Sequence, residues 1–523
     1  MGIKMKKKMW IILLSVLFLG VYLTGGKILD RFSEDIMKAK VLSMEEINLL
    51  CEGKEDAFME SEITLNGGKI AYDSEQNLLL VPQNLSEEQF EGSLQVPDGK
   101  LYFLEDEALG DKAQTIRESK MLHLFWIRDT RCWMYNVYFT GMPVASIDTK
   151  EVSEEEISSG EIWVYDPYHS AAEYQKAECT WHLRGATSLN YEKSSYRLTL
   201  TDKKLSLLGM RKDDDWMLHS LYDDEGLIHN KLSYEVWQEI AASNDVNHDE
   251  GISMEYVELF LDDTYLGVYG LSERIDKKAL HLNDKDILYK CKDQKDPGLD
   301  DFYSELTEEM TPTFVWKHPK DFEMEDWEPL RKWVSMFCFE EFEDYESAAA
   351  ILNMENAVDY NLFNMLTCGM DNIMKNIYFH ADYQEDGSYR FIKIPWDLNM
   401  TWGNSWIDDG NCNFNRFQEK NFDGDDGWTP DMYLLYEHVP EKTGPLLADR
   451  WQELRVNIIT KEALYEKLDS EFAYLYDSGA YIRNRQKWPP KGEYWQDEYI
   501  YEYVDRRIDF LDGYFEQMRR QGG

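Results

Sequence analysis

Between Asp371 and Asp397 the chain reads DNIMKNIYFHADYQEDGSYRFIKIPWD: an Asp, an Asn five positions on, and another Asp closing the stretch. These residue types in this order suit phosphoryl transfer. That chemistry needs little covalent participation from the protein; it needs a carboxylate that orients and deprotonates a hydroxyl, and oxygen ligands for the metal that spans the phosphates. Asp371 is the candidate for the first role, Asn376 and Asp397 for the second. A chain carrying 100 Asp and Glu residues offers such triads by accident, so the surrounding elements must be able to position them.

Glu355 to Gly369 (ENAVDYNLFNMLTCG) carries apolar residues at helical spacing and ends in a Gly suited to a C-cap, which predicts a helix and then a polar loop from Met370. NIYFH and YRFIKI have strand composition, and the QEDGS between them carries Asp-Gly at a hairpin tip. Upstream, a strand beginning at Thr180 (TWHLRG) ends at Gly185. Ala186, Thr187 and Ser188 form a small polar turn whose backbone N–H groups could face phosphates, and Lys193, Tyr196 and Arg197 lead into the next strand. Leu227 to Ala242 predicts an amphipathic helix with Leu232, Val236, Trp237 and Ile240 on one face, and Glu255 to Glu273 predicts a hairpin. The acidic stretch from Lys292 to Asp326 reads as a surface insertion. Trp327 to Phe342 starts a helical region, and Leu446 to Met518 is helical again.

The segments WHLRGATSLNYEKSSYRLTL, LLGMRKDDDWMLHS, LIHNKLSYEVWQEI, EYVELFLDDTYLGVYGLSERI, DNIMKNIYF and IPWDLN resemble, in order and spacing, the spore coat protein H (CotH) kinase family from about Met142 onward. The resemblance implies an α+β, two-lobed protein-kinase-like fold over residues 142–523, acting on Ser or Thr of a protein substrate with ATP and Mg or Mn. It implies that Arg184, Gly185, Thr187 and Ser188 form the phosphate loop, that Lys193 or Arg197 contacts the ATP phosphates, and that Glu235 or Glu239 is the helix acid that pairs with the strand Lys. Main-chain groups from Leu271 to Glu273 would meet adenine. Asn230 and Lys231 match a family N-K pair, with a structural or phosphate-facing role. The segment after Asp397, up to Trp428, would hold the activation or substrate loop. Two positions depart from the family pattern: Ala186, where relatives commonly carry Asn, and Asn399, where they often carry a second acid two residues after the metal-binding Asp. Asn399 remains an oxygen ligand, without charge.

A net charge of -45 disfavours nucleic acid and anionic lipid as partners. ATP is an anion too, so a nucleotide site here must be a local basic, metal-bridged pocket within an acidic surface. Two alternatives share the scaffold: transfer of AMP rather than phosphate, and an inactive surface-binding protein, which the 17 Trp and 33 Tyr residues would suit.

Lys4, Lys6, Lys7 and Lys8 precede an uncharged run, Met9 to Thr24, which reads as a membrane-targeting segment over residues 1–26, either a signal peptide or an uncleaved anchor. Lysines before the run keep the N-terminus inside and send the rest out, giving an extracytoplasmic or secreted domain with the bacterial membrane as an N-terminal partner. Residues 27–61 read as a charged stalk and residues 62–141 as a small β-rich region. Seven Cys, scattered and odd in number, suggest neither a zinc site nor a disulfide framework.

Overall fold

The computed structural model describes residues 35–56, 62–153, 156–169, 174–185, 187–244, 251–293, 297–302, 310–321, 323–339, 342, 344–404, 427–490 and 497–522. The fold is mixed α+β. Seven strands close into a barrel: β1 (Val144–Val152), β2 (Ser158–Tyr165), β3 (Gln175–Arg184), β4 (Ser195–Leu200), β5 (Asp215–His219), β6 (Met254–Leu261) and β7 (Thr264–Glu273). Their order around the barrel is β1-β2-β3-β4-β5-β7-β6, with β6 returning parallel to β1. Successive strand side chains point to opposite faces. Tyr196, Leu198, Trp216 and Leu218 therefore fill the barrel interior, while Ser195, Arg197 and Met217 are left for the outer wall.

Between β5 and β6 the chain makes helix α1 (His229–Ala242), within the span its periodicity predicted. Trp237 of α1 packs edge-on against Tyr360 and Phe363 of helix α2 (Met354–Thr367). A second sheet, in the order β9-β8-β10-β11, comprises β8 (Ile287–Cys291), β9 (Phe314–His318), β10 (Ile377–Tyr383) and β11 (Tyr389–Pro395). Strand β9 lies inside the acidic stretch expected to be a surface insertion. Its Phe314 and Trp316 are buried in the same core as α1 and α2, so apolar burial decides that segment despite its charge. Helices α3 (Pro430–His438), α4 (Pro440–Asn457), α5 (Lys461–Asp477), α6 (Ala480–Lys487) and α7 (Glu498–Gly522) complete the chain.

The N-terminal region is β-rich and has its own core around Phe103, Leu124, Trp126 and Val137. Residues expected to form a stalk are built into it: Ala39–Leu42 pairs parallel with Lys100–Leu104, and the helix Met44–Cys51 starts with a capping box on Ser43. Against the expectation of no disulfide, Cys51 bonds Cys132 across 81 positions. The parallel pairing of Arg131 with Glu55 is what brings them together, a contact that sequence spacing does not encode. The apolar run Met9 to Thr24 lies outside the described residues. Among the described residues no helix is long and apolar enough to cross a membrane.

Candidate active site

The β10–β11 hairpin sets the site. Its register pairs Ile377 with Pro395, so Asn376 and Trp396 meet at the open end, where Trp396 N–H donates to the Asn376 carbonyl at 3.0 Å. Asn376 (φ 57°) and Asp397 (φ 58°) both take left-handed backbone, a conformation that costs a side-chain-bearing residue about 1–3 kcal/mol unless its surroundings enforce it. The enforcement is visible. Asn372 Nδ2 donates to the carbonyls of Trp396 (2.8 Å) and Asn376 (3.3 Å), and Tyr360 of α2 in turn holds Asn372 through its carbonyl at 3.0 Å. From α1, the Tyr234 hydroxyl accepts from Asp397 N–H at 3.2 Å and Asn230 Oδ1 from Leu398 N–H at 2.8 Å. Asp371 sits in the turn Met370–Asn372, its carboxylate 2.9 Å from Lys375 Nζ.

Eight of the residues expected at the site line one cavity of about 410 Å³: Arg184, Gly185, Ser188, Arg197, Asp371, Asn376, Asp397 and Asn399. The cavity lies against the outer wall of β3–β5 and the open end of the hairpin. Thr187 heads the short turn Thr187–Asn190 that carries Ser188, and Ala186 lies outside the described residues. So do residues 405–426, which include most of the expected activation or substrate loop.

Lys193 and Glu273 are not brought to this cavity. Lys193 precedes β4 and turns into the protein, where its ammonium donates to the carbonyl of Val268 and to Asn484 Oδ1 over the ring of Tyr269. Complete burial pushes its pKa far below the usual lysine range. Glu273 accepts from Arg211 Nε at 3.2 Å, and Leu271 is buried in the barrel core. Glu235 pairs with Lys231 of its own helix at 2.7 Å and Glu239 with Lys467 at 2.6 Å, so neither meets Lys193.

The cavity also holds residues that sequence reasoning missed. Arg274, Lys290, Lys292, Lys317 and Lys375 join Arg184 and Arg197, so seven cationic side chains converge in a chain of net charge -45. Burial pushes Lys290 down to about 8, partly opposed by the charge of Asp397. His219 lies 3.3 Å from Arg184 through Nδ1 and 2.9 Å from Ser272 Oγ through Nε2. A guanidinium can only donate, so Nδ1 accepts and the Nε2 proton goes to Ser272. Burial first, then Arg184, drives the His219 pKa well down, which keeps this acceptor neutral. Asp223 is pushed up to about 7 by burial and then by Asp397. Sequence signals for these residues are slight, because Lys290 and Lys317 reach the cavity only through the pairing of β8 with β9 and β10.

The oxygen donors Asn376, Asp397 and Asn399 match a hard divalent cation such as Mg or Mn, and among the described residues no thiol or imidazole ligand competes on the cavity wall except the neutral, already-bonded His219. A second group, Asp286, His380 and Asp382, has its ligand atoms within 4.8 Å of one another. There Asp286 is engaged by Asn283 N–H (2.8 Å), Asn283 Nδ2 (2.7 Å) and Tyr383 N–H (3.1 Å), which join the ends of β8 and β10.

An α+β protein with acid, amide and cationic groups facing one cavity is thus defined by fold and site. A family model described as CotH kinase protein matches residues 182–511, and the chain belongs to that family. No curated protein matches the chain.

Proposed function

We propose that the protein is an extracytoplasmic protein kinase that transfers the γ-phosphate of ATP to Ser or Thr of surface or coat proteins, with the barrel and the helical region acting as the two lobes. One observation carries this reading: Asp371, Asn376 and Asp397 share a cavity with seven cations inside a strongly acidic chain. Arg184, Arg197, Lys290 and their neighbours neutralise phosphate charge. Asp371 orients the acceptor hydroxyl and takes its proton as the oxygen attacks the γ-phosphorus and the bond to the β-phosphate oxygen breaks, releasing ADP. Asn376, Asp397 and Asn399 present the ligands for Mg or Mn, which supplies charge compensation at the phosphates. The Cys51–Cys132 disulfide and the Lys-led apolar run at the N-terminus support an oxidising, extracytoplasmic location, anchored or secreted.

The test uses the purified full chain with a Ser/Thr-rich acceptor, Mg or Mn, and ATP labelled at either the γ or the α phosphate. Transfer of γ label, abolished by EDTA, is expected. Asp371→Asn should keep ATP binding yet lose on the order of a hundredfold in rate, and Asp397→Asn should lose metal-dependent ATP binding. Transfer of α label would replace the reading with AMP transfer. Wild-type rates in both variants would remove the site assignment.

A further inference from the structure

Two adjacent aspartates in the loop between β5 and α1 meet different fates. Asp224 is fully buried and used up locally: its carboxylate accepts from His229 N–H at 2.9 Å and lies 2.7 Å from His229 Nδ1, fixing the start of α1. Asp223 lies on the cavity wall with Asp397 and Asn399. Its Oδ2 accepts from Asn399 Nδ2 at 2.7 Å and from the Tyr191 hydroxyl at 3.5 Å. Asn404 Nδ2 braces the same junction, donating to the Asp223 carbonyl at 3.2 Å and the Asn399 carbonyl at 2.8 Å.

The charge balance at this point is incomplete. The other acids of the cavity wall have close cations or carry the metal role: Asp371 has Lys375 at 2.9 Å, and Asp397 is the metal candidate. Asp223 has only neutral donors, and among the described residues no Lys or Arg nitrogen lies within ion-pair distance of it. Asp223 and Asp397 line the same cavity, and two carboxylates in one partly desolvated site repel each other unless a cation joins them. The amide of Asn399 has its NH2 committed to Asp223, which leaves its carbonyl oxygen as the free acceptor.

We propose, on the kinase reading above, that Asp223 is the second charged oxygen ligand of the divalent ion taken by Asp397, supplying the carboxylate that position 399 lacks. Asn399 then acts as the brace that aims Asp223 as well as a neutral ligand. The departure at Asn399 is compensated from a loop that lies 176 residues earlier in the chain.

Mn2+ binding to the full chain, read as the loss of the free-Mn2+ EPR signal with and without a non-hydrolysable ATP analogue, tests this without catalysis. Asp223→Asn should weaken Mn2+ binding by about tenfold or more, and the exchange Asp223→Asn with Asn399→Asp should recover most of it, because it moves one charge across a 2.7 Å contact. Asp223→Glu, which keeps the charge, should bind Mn2+ more tightly than Asp223→Asn. Asp223→Ser replaces the Asn variant in this comparison if thermal melting shows the latter unfolded. Wild-type affinity in Asp223→Asn, or equal affinities of the Glu and neutral variants, overturns the proposal. Phosphate transfer is scored separately. If the wild type transfers none while Asp223→Asn loses Mn2+, the kinase reading falls and the ligand assignment stands. If the wild type transfers phosphate and Asp223→Asn binds Mn2+ normally, the ligand assignment falls alone.

Discussion

Lys193 and Arg197, which sequence resemblance left equivalent, stand four positions apart and have different surroundings: the Lys193 ammonium turns to Val268 and Asn484, whereas Arg197 lines the cavity. Lys193 is 2 % exposed and bonded to neutral groups, so it is a poor phosphate cation; Arg197 lines the cavity, 3.1 Å from Asp215. Arg197→Met should weaken ATP binding about tenfold, the scale of a lost charge-assisted hydrogen bond, with little change in melting temperature. Lys193→Met should do the reverse: ATP binding unchanged, stability lower by about 1–3 kcal/mol from the acceptors left unpaired. Isothermal titration with ATP and thermal melts of both variants separate the cases, and an ATP defect confined to Lys193→Met would invert the assignment. A second residue carries a pH dependence. Lys231 Nζ faces three carboxylates, Glu235 at 2.7 Å and Glu255 and Glu471 at 3.4 Å, and one ammonium cannot neutralise them all. Burial raises Glu471 to about 7 from 4.5, opposed by Lys231 and reinforced by the other two acids. A carboxyl whose folded pKa lies above its unfolded value binds its proton more tightly in the native state, so its contribution to stability falls as pH rises from about 4.5 to about 7. Glu471→Gln should therefore melt higher than wild type at pH 8, by up to about 3 kcal/mol, with the gain vanishing near pH 4.5. A variant less stable than wild type at pH 8 would show that Lys231 needs the third charge.

At the scale of elements, the turn after β3 depends on Gly185, whose φ of +126° is rarely open to other residues and whose Cβ, if present, would lie 1.9 Å from Ser188 Oγ. Gly185→Ala should displace Ser188 and strain the turn by about 1–3 kcal/mol. The expected readout is an ATP affinity lowered about tenfold while the global melt stays within a few degrees; an unaltered affinity would remove this turn from the nucleotide site. Elements of this kind were legible wherever local pattern and tertiary fate agree. The apolar spacing of 355–369 becomes α2, and NIYFH and YRFIKI become β10 and β11. Small departures have local causes: α2 ends at Thr367 with Cys368, rather than Gly369, in the left-handed position (φ 50°). The carboxylate and amide set of the site was legible because a helix, a loop and a hairpin hold it within 27 consecutive residues. Of the cationic half, only Arg184 and Arg197 were legible. Arg274 follows the end of β7, Lys290 lies on β8, and Lys317 comes from a stretch whose acidity hides a buried strand, so only long-range pairing assembles them.

Across the whole molecule, one buried network ties the β-rich N-terminal region to the barrel and to helix α6, two parts of the domain that the sequence reads as a single unit. Arg483 of α6 makes a two-pronged pair with Glu258 of β6, Nε to Oε1 at 2.9 Å and Nη2 to Oε2 at 2.7 Å, and neither side chain is more than 2 % exposed. The β-rich N-terminal region joins through Ser119, whose Oγ accepts from Arg483 Nη1 at 2.9 Å, and through Thr140, whose hydroxyl donates to Glu258 Oε2 at 2.6 Å. Tyr265 of β7 donates to Glu258 Oε1 at 2.6 Å, and the neighbouring Asn484 accepts from Lys193 and from Val268 N–H, both at 3.0 Å. Burying such a pair is not by itself stabilising, since desolvation offsets much of the attraction, but removing one partner strands the other in a dry site. Glu258→Gln and Arg483→Met should each cost about 3–5 kcal/mol. Because the pair joins the N-terminal region to the barrel and to α6, either change should also split a single thermal transition into two. The double variant should cost clearly less than the sum of the singles, as the second substitution removes the stranded charge. Differential scanning calorimetry of the three variants measures both effects. Additive losses with one unbroken transition would mean that apolar packing, not this ion pair, couples the N-terminal region to the rest.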